Sequence, residues 1–459
     1  MKTTLLEGLR VGVLGLGRSG IAAANLANAK GASVLVSEAK AKTACKEQLS
    51  LLEDGIEQEC GGHSDLLLQS DIIIKSPGIH HAPILDKLTG KGTPVWSEIE
   101  LALRFLEPRN LFAITGTNGK TTTTTLVGEI LKATRQPAVV AGNIGTPLAS
   151  LVDEVTKKTS VVLEVSSYQL EDSPTFRPTI STILNITPDH LEHHKTMKNY
   201  VQAKALVFAR QTKKDYCILN HDDPYCRKLA EQCPAKVIFF SCKKALPRGI
   251  YYNGTHLIAR LPGLTCKLSA ALAIPGLHNI ENALAAAAMT LVAGVRPALV
   301  EKVITSFPGV EHRIELAREL GGVRYFNDSK ATNVDSTFVA LKSFNAPIWL
   351  ILGGRDKGSP YTPLKALIKR KVKGILLIGE AAPRIKKDLR GLVPFYESKT
   401  LAKALQTGQK LAQPGDIVLL SPACASFDQF RSYEDRGRVF KQLVQRLHAA
   451  AARPARVRP

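Results

Sequence analysis

Ile114-Thr115-Gly116-Thr117-Asn118-Gly119-Lys120-Thr121 lies between an apolar run, Leu111–Thr115, and a helical pattern. It reads as the end of a strand, a glycine loop and the first turn of a helix. Two glycines let the backbone curl so that several N–H groups converge, and the helix start adds partial positive charge. Lys120 can lie along the outer phosphates of a nucleotide, and the Thr121 hydroxyl can reach a magnesium ion. A full G-x-x-x-x-G-K-[ST] loop has glycine where Ile114 stands, so this is a shortened variant. The plain alternative is a glycine turn that caps a helix beside an incidental lysine. Five consecutive threonines, Thr121–Thr125, argue against it, because β-branched residues are mediocre helix formers and need packing or ligand contact to justify them.

Working outward, apolar runs alternate with helical patterns along the whole chain, the mark of an α/β protein with mainly parallel sheets. Strands are expected at Val11–Leu14, Ser33–Val36 and Asp71–Ile74, then at Leu111–Thr115, Ser160–Val165 and Thr179–Ile186, with a strand pair within Tyr251–Leu268. A last group falls at Val323–Asn327, Ile348–Leu352, Gly374–Ile378 and Ile417–Leu420. Breaks at Glu107-Pro108-Arg109-Asn110 and Phe307-Pro308-Gly309 divide the chain of 459 residues into three domains, 1–106, 107–308 and 309–459, with a basic tail from about 450 that includes Arg453, Arg456 and Arg458.

Hydrophobic residues make up 44% and charged residues 22%, as expected for a globular protein. Lys and Arg number 61 against 40 Asp and Glu, a net charge of +21, which favours anionic partners. These could be nucleic acid, an anionic membrane surface or phosphorylated metabolites. No RNA-binding aromatic signature or zinc spacing accompanies the charge, so nucleic acid is not expected. The sequence has no apolar run of about 18 or more residues, so no membrane span is expected, and no signal-like segment opens it. Eight scattered cysteines, none in a C-x-x-C pair, read as free thiols of a cytoplasmic protein.

A second glycine loop, Gly15-Leu16-Gly17-Arg18-Ser19-Gly20, stands between the first strand and a helix, and Glu38 ends the next strand. Such a loop offers N–H groups to any pyrophosphate, and the acidic residue can bind any ribose or base edge. From these residues alone NAD, a uridine diphosphate ligand and a structural turn all remain open.

Four further segments join the phosphate loop. Glu164-Val165-Ser166-Ser167-Tyr168-Gln169-Leu170-Glu171 ends one strand, and Asn185-Ile186-Thr187-Pro188-Asp189-His190-Leu191 ends another, followed by Tyr200-x-x-x-Lys204. Gly276-Leu277-His278-Asn279-Ile280-Glu281-Asn282-Ala283 opens an alanine-rich helix, and Asn327-Asp328-Ser329-Lys330-Ala331-Thr332-Asn333 opens a loop of the third domain. With His312-Arg313 and Ser421-Pro422-Ala423-Cys424-Ala425-Ser426, this set resembles the Mur ligases of bacterial cell-wall synthesis, in order and over essentially the full length.

The resemblance implies a Rossmann-like first domain that binds a UDP-sugar, a central ATPase-like domain and a Rossmann-like third domain. It is nearest to the members that join D-glutamate to UDP-N-acetylmuramoyl-L-alanine with ATP and Mg2+, acting as a monomer. It implies ATP contacts from Gly116, Thr117, Asn118, Gly119, Lys120, Thr121, Thr122, Asn279, Asn282, Arg313, Asp328 and Lys330. Metal would be held by Thr121, Glu164, His190 and Lys204, the last as a carbamate; Lys120, Glu164, His190 and Lys204 would be the catalytic group. The UDP-sugar would meet Gly17, Arg18, Ser19, Glu38, Ser76, Pro77, Gly78 and Asn143, and D-glutamate would meet Thr332, Lys357, Ser426, Phe427 and Tyr433. Phe427 and Tyr433 stand where the family has leucine and phenylalanine, and Glu38 where it has aspartate. The bland readings are a helix-capping Glu164, a structural His190 and a surface Lys204. A related ligase with another acceptor, such as a folylpolyglutamate synthetase, or an NAD-binding protein is the alternative function. The UDP-type loop argues against folate.

Overall fold

The computed structural model describes residues 5–448, apart from 80, 81, 275, 357 and 359. Lys357 and the basic tail therefore lie outside the described residues. Three sheets organise the chain, and it divides into two compact units, residues 1–272 with 279–307, and residues 273–278 with 308–459.

The first unit holds two sheets. Five parallel strands form the first, in the order Glu57–Cys60, Ser33–Glu38, Arg10–Leu14, Ile72–Lys75, Val95–Trp96. In chain order this is 3-2-1-4-5, so the direction of winding reverses between Arg10–Leu14 and Ile72–Lys75. Open α/β sheets bind ligands at such a point, beyond the carboxyl ends of the strands. The loops that leave those two ends are Gly15–Ser19 and Ser76–Gly78. Gly20 must be glycine for a packing reason: a Cβ there would meet the Gly15 carbonyl oxygen.

Seven parallel strands of the second sheet run Ala138–Gly142, Ser160–Glu164, Asn110–Thr115, Ile180–Ile183, Tyr216–Asn220, Lys236–Ser241 and Gly249–Tyr252. His256–Leu261 and Leu264–Ser269 continue it as an antiparallel ribbon, so three strands stand where a pair was expected. The middle strands are buried on both faces, as a sheet covered on both sides requires. One continuous core runs through both sheets of this unit, from Val11 and Val34 to Leu163, Ile183 and Leu219.

The second unit carries six strands in the order Glu315–Leu320, Val323–Asn327, Ile417–Leu420, Ile348–Gly353, Val372–Ile378, Phe395–Lys399, parallel except for the first pair. Its two faces are buried by separate cores, one around Leu350, Leu352 and Ile375, the other around Ile351, Val418 and Phe440. The fold is thus α/β with mainly parallel sheets, as the sequence implies. All eight cysteines are free. Among the described residues no helix is long and apolar enough to cross a membrane.

Candidate active site

Parallel strands put their following loops on one edge. Gly142 and Ile114 both pair with Glu164, and Ile114 pairs with Thr182, so the phosphate loop, Asn143, Glu164 and Asn185 emerge side by side. The loop is clamped by its neighbour. Asn118 N–H donates to Asn185 Oδ1 at 2.8 Å, Asn185 Nδ2 returns to the Asn118 carbonyl at 3.1 Å, and Thr187 N–H donates to Thr117 Oγ1 at 3.0 Å. Gly119 sits at φ +84°, where a Cβ would also collide with Asn282 Oδ1. It starts the helix Lys120–Ala133, whose first turn buries Thr121 and Thr122. Thr123 Oγ1 donates to Asn282 Oδ1 at 3.3 Å, which ties Asn279 and Asn282 to that helix. The threonine run is therefore packed, not solvated. Lys120 Nζ donates to the carbonyls of Gly116 and Thr117, both at 2.9 Å, and so curls over its own loop.

Glu164 is 3% exposed. Its Oε1 accepts from Asn143 Nδ2 at 3.0 Å, while its Oε2 is buried with no hydrogen-bond partner. A buried carboxylate oxygen left unpaired is costly, and a cation is the partner that would best offset that cost. Lys204 is 2% exposed and donates from Nζ to the Gly116 carbonyl at 3.0 Å, beside the ring of Tyr200. Burial, reinforced by the Lys120 charge, holds its ammonium well below the usual lysine range. It is therefore no surface lysine. His190 begins the turn Leu191–His194 in the left-handed region at φ +54°, and its ring faces Asp189, Glu192 and Tyr168. A non-glycine residue is uncommon there, although histidine adopts that region more readily than most.

At the crevice of the five-stranded sheet lies a cavity of about 570 Å³. Gly17, Arg18, Ser19, Glu38, Ser76, Pro77 and Gly78 line it, and so does Asn143 from the other sheet of the unit. The two glycine-loop systems are thus joined through Asn143, which lines the cavity and holds Glu164. Glu38 already accepts from Leu16 N–H at 2.9 Å and Lys40 N–H at 3.0 Å, so it also braces the loop.

In the second unit the predicted residues cluster at the carboxyl ends of Val323–Asn327 and Ile417–Leu420. Asp328 is fully buried; its Oδ2 accepts from Ser421 Oγ at 2.7 Å, and Arg313 lies 3.8 Å from Oδ1. Burial raises its carboxyl to about 6 despite the arginine. Lys330 Nζ lies 3.4 Å from the Tyr433 hydroxyl, and Ser426 is buried. Thr332 is half-buried in the same loop as Lys330. Phe427, expected in the amino-acid pocket, is 62% exposed. Arg436 carries no sequence signal of its role; it is buried and donates to the Ser329, Cys424 and Ala425 carbonyls, bracing both loops. Nothing in the sequence pointed to Lys40 and His63 in the cavity, and Gln169 of the cavity and the clamp residue Asn185 stood in the motif segments without a role. Asn185 was legible as the polar end of an apolar strand.

Three family models match the chain in succession: the MurD-like N-terminal domain over residues 9–97, the Mur ligase middle domain over 114–290 and the Mur ligase glutamate ligase domain over 312–424. The UDP-N-acetylmuramoylalanine--D-glutamate ligase of Elusimicrobium minutum is 44% identical across 97% of this chain and 100% of its own. The chain belongs to the Mur ligase family. A ligase of the same name from Koribacter versatilis is also 44% identical, across 96% of this chain and 98% of its own. Among solved Mur ligases, the MurF ligase of Thermotoga maritima in complex with ADP matches in fold, with a TM-score of 0.60 at 17% identity and 97% of each chain covered.

Proposed function

We propose that this Mur ligase joins D-glutamate to UDP-N-acetylmuramoyl-L-alanine with ATP, as a cytoplasmic monomer that supplies peptidoglycan precursors. Segments 1–106, 107–308 and 309–459 would bind the UDP-sugar, the ATP and the amino acid in turn, the last with further ATP contacts from Arg313, Asp328 and Lys330. The relatives bearing that ligase name over nearly the whole chain support the substrates. The observation that carries the chemistry is Asn143, which connects the nucleotide-sugar cavity to a buried, half-unpaired Glu164 beside the phosphate loop.

In the proposed reaction a carboxylate oxygen of the L-alanine attacks the γ-phosphorus of ATP, and the bond to ADP breaks. The D-glutamate amine then adds to the acyl-phosphate carbonyl, loses a proton, and phosphate leaves as the amide forms. Attack by one anion on another needs charge neutralisation and alignment, which together supply most of the catalysis in phosphoryl transfer. Thr121, Glu164, His190 and Lys204 would hold magnesium, which would supply neutralisation of the phosphate charge. The unpaired Glu164 oxygen fits that role. Lys204 would serve as a carbamate: burial and the Lys120 charge lower its basicity, which favours the neutral amine, the form that adds to CO2 with loss of a proton. Lys120 and the loop N–H groups would orient the γ-phosphate. Thr332, Lys357, Ser426, Phe427 and Tyr433 would receive D-glutamate, although the exposure of Phe427 makes it the weakest member of that set.

The test is phosphate release with defined acceptors. D-glutamate should far exceed L-glutamate, L-lysine and meso-diaminopimelate, since a dicarboxylate needs cationic and hydroxyl donors such as Lys357, Ser426 and Thr332. Equal turnover with any of those three would refute the acceptor.

A further inference from the structure

Beside the proposed magnesium position, and sharing no residue with it, stands a second cluster of ligating atoms. Glu171, His193 and His194 each offer one ligand atom, and these lie within 4.8 Å of one another. Glu171 ends the short helix Ser167–Glu171, and the histidines end the turn Leu191–His194. The carboxylate divides between them: Oε2 is 2.9 Å from His193 Nε2, and Oε1 is 3.5 Å from His194 Nδ1. The imidazole planes stand at 87° to each other, so they approach the space near the carboxylate from different directions. Tyr168 walls the cluster, with its ring 4.6 Å and 5.5 Å from those of His193 and His194.

His194 is the informative member. Its Nε2 is 2.9 Å from Ser167 Oγ and its ring is buried, which disfavours the doubly protonated form. With Nε2–H given to Ser167, Nδ1 presents a lone pair to the Glu171 oxygen, and a cation between them would convert that repulsion into attraction. The other tautomer would place an N–H toward Oε1 at 3.5 Å, longer than an ordinary hydrogen bond. A ligating histidine whose second nitrogen is fixed by a polar partner is the usual arrangement around bound metals.

We propose that Glu171, His193 and His194 form a binding site for a transition-metal dication of the zinc type, separate from the magnesium of catalysis. Two imidazoles and one carboxylate suit Zn2+ or Co2+ and are poor for Mg2+, which demands oxygen ligands. Bound metal would fasten the turn that starts at His190 to the helix that follows Glu164.

Chelator-stripped protein is titrated with Co2+ in a non-thiol reductant, and visible absorption and displacement by Zn2+ are followed. His193→Gln and Glu171→Gln are compared with the parent. The cysteines are common to all, so only differences are read. The parent should bind one more equivalent of Co2+ than either variant, or bind it at least about tenfold more tightly. His190→Ala should keep that equivalent. Glu171 and His193 lie partly at the surface, and the two substitutions are independent, so one result stands if the other variant fails to fold. Identical titration of parent and variants, or loss of the equivalent in His190→Ala, would overturn the site.

Discussion

Lys204 shows how much a single position depends on its surroundings. A charged lysine that is 2% exposed, hydrogen-bonded to one carbonyl and close to a second lysine has poor compensation for lost hydration. A carbamate would reverse the sign of the charge and make Lys120 a favourable neighbour. Lys204→Ala should therefore lose activity on the order of a hundredfold, the scale of removing one preorganised electrostatic group. A short-chain carboxylic acid should restore part of it, measured as phosphate release; an unimpaired alanine variant would return the lysine to a packing role. Glu164→Gln keeps the shape and can still accept from Asn143, but removes the charge at the unpaired oxygen. It should raise the magnesium concentration needed for half-maximal turnover, and an unchanged magnesium requirement would remove Glu164 from the metal set. Sequence alone could place Tyr200 and Lys204 on one helical face by their spacing. That this face turns inward, burying both, depends on tertiary packing that no local pattern reveals.

At the scale of elements, the short helix Glu98–Leu103 illustrates a buried charge with a measurable consequence. Ser97 caps it, and Glu98 points inward, accepting from Ala149 N–H while its Oε2 has no partner. Burial raises this carboxyl to about 7. The unfolded chain loses that proton near pH 4.5 and the folded chain keeps it until about 7. The unfolded state therefore binds fewer protons across this window, and stability falls as pH rises through it, by about 3 kcal/mol in total. Glu98→Gln should abolish that component, so urea unfolding at pH 5 and pH 8 should show a smaller loss in the variant. Equal losses would mean that Glu98 titrates normally. The same scale explains which strands were legible. Buried central strands such as Ile348–Gly353 and Ile417–Leu420 announce themselves as apolar runs. Glu57–Cys60, with its edge position and no fully buried residue, carries no apolar signal, and Glu315–Leu320 is similar. The site loops were readable because glycine, asparagine and histidine are conspicuous at strand ends. The exposure of Phe427 was not, because a loop aromatic gives no local sign of which way it faces.

For the whole molecule, the informative fact is that the cavity at the crevice of the five-stranded sheet draws its walls from both sheets of the first unit. Gly17 and Ser76 come from the five-stranded sheet, Asn143 from the nine-stranded one, and a common core already unites them. A ligand filling about 570 Å³ would add contacts across that junction and should stabilise the first unit as a body. Linkage sets the size: at a hundredfold excess over its Kd, a ligand that binds only the folded form contributes about 2.7 kcal/mol. For a unit of this size that corresponds to a rise of a few degrees in melting temperature. The glycine loop by itself would also admit NAD, but the cavity takes Asn143 as a further wall, and Asn143 donates to Glu164 beside the phosphate loop, so a ligand that reacts with ATP is expected there and not a hydride carrier. The net charge of +21 favours either nucleotide and cannot discriminate between them. UDP-N-acetylmuramoyl-L-alanine should therefore raise the first unit's unfolding temperature, and calorimetric titration should give one site. NAD at the same concentration should do neither. Micromolar NAD binding, or a shift equal to that produced by the UDP-sugar, would show that the cavity recognises only a pyrophosphate, and the identity of the donor substrate would have to be sought elsewhere.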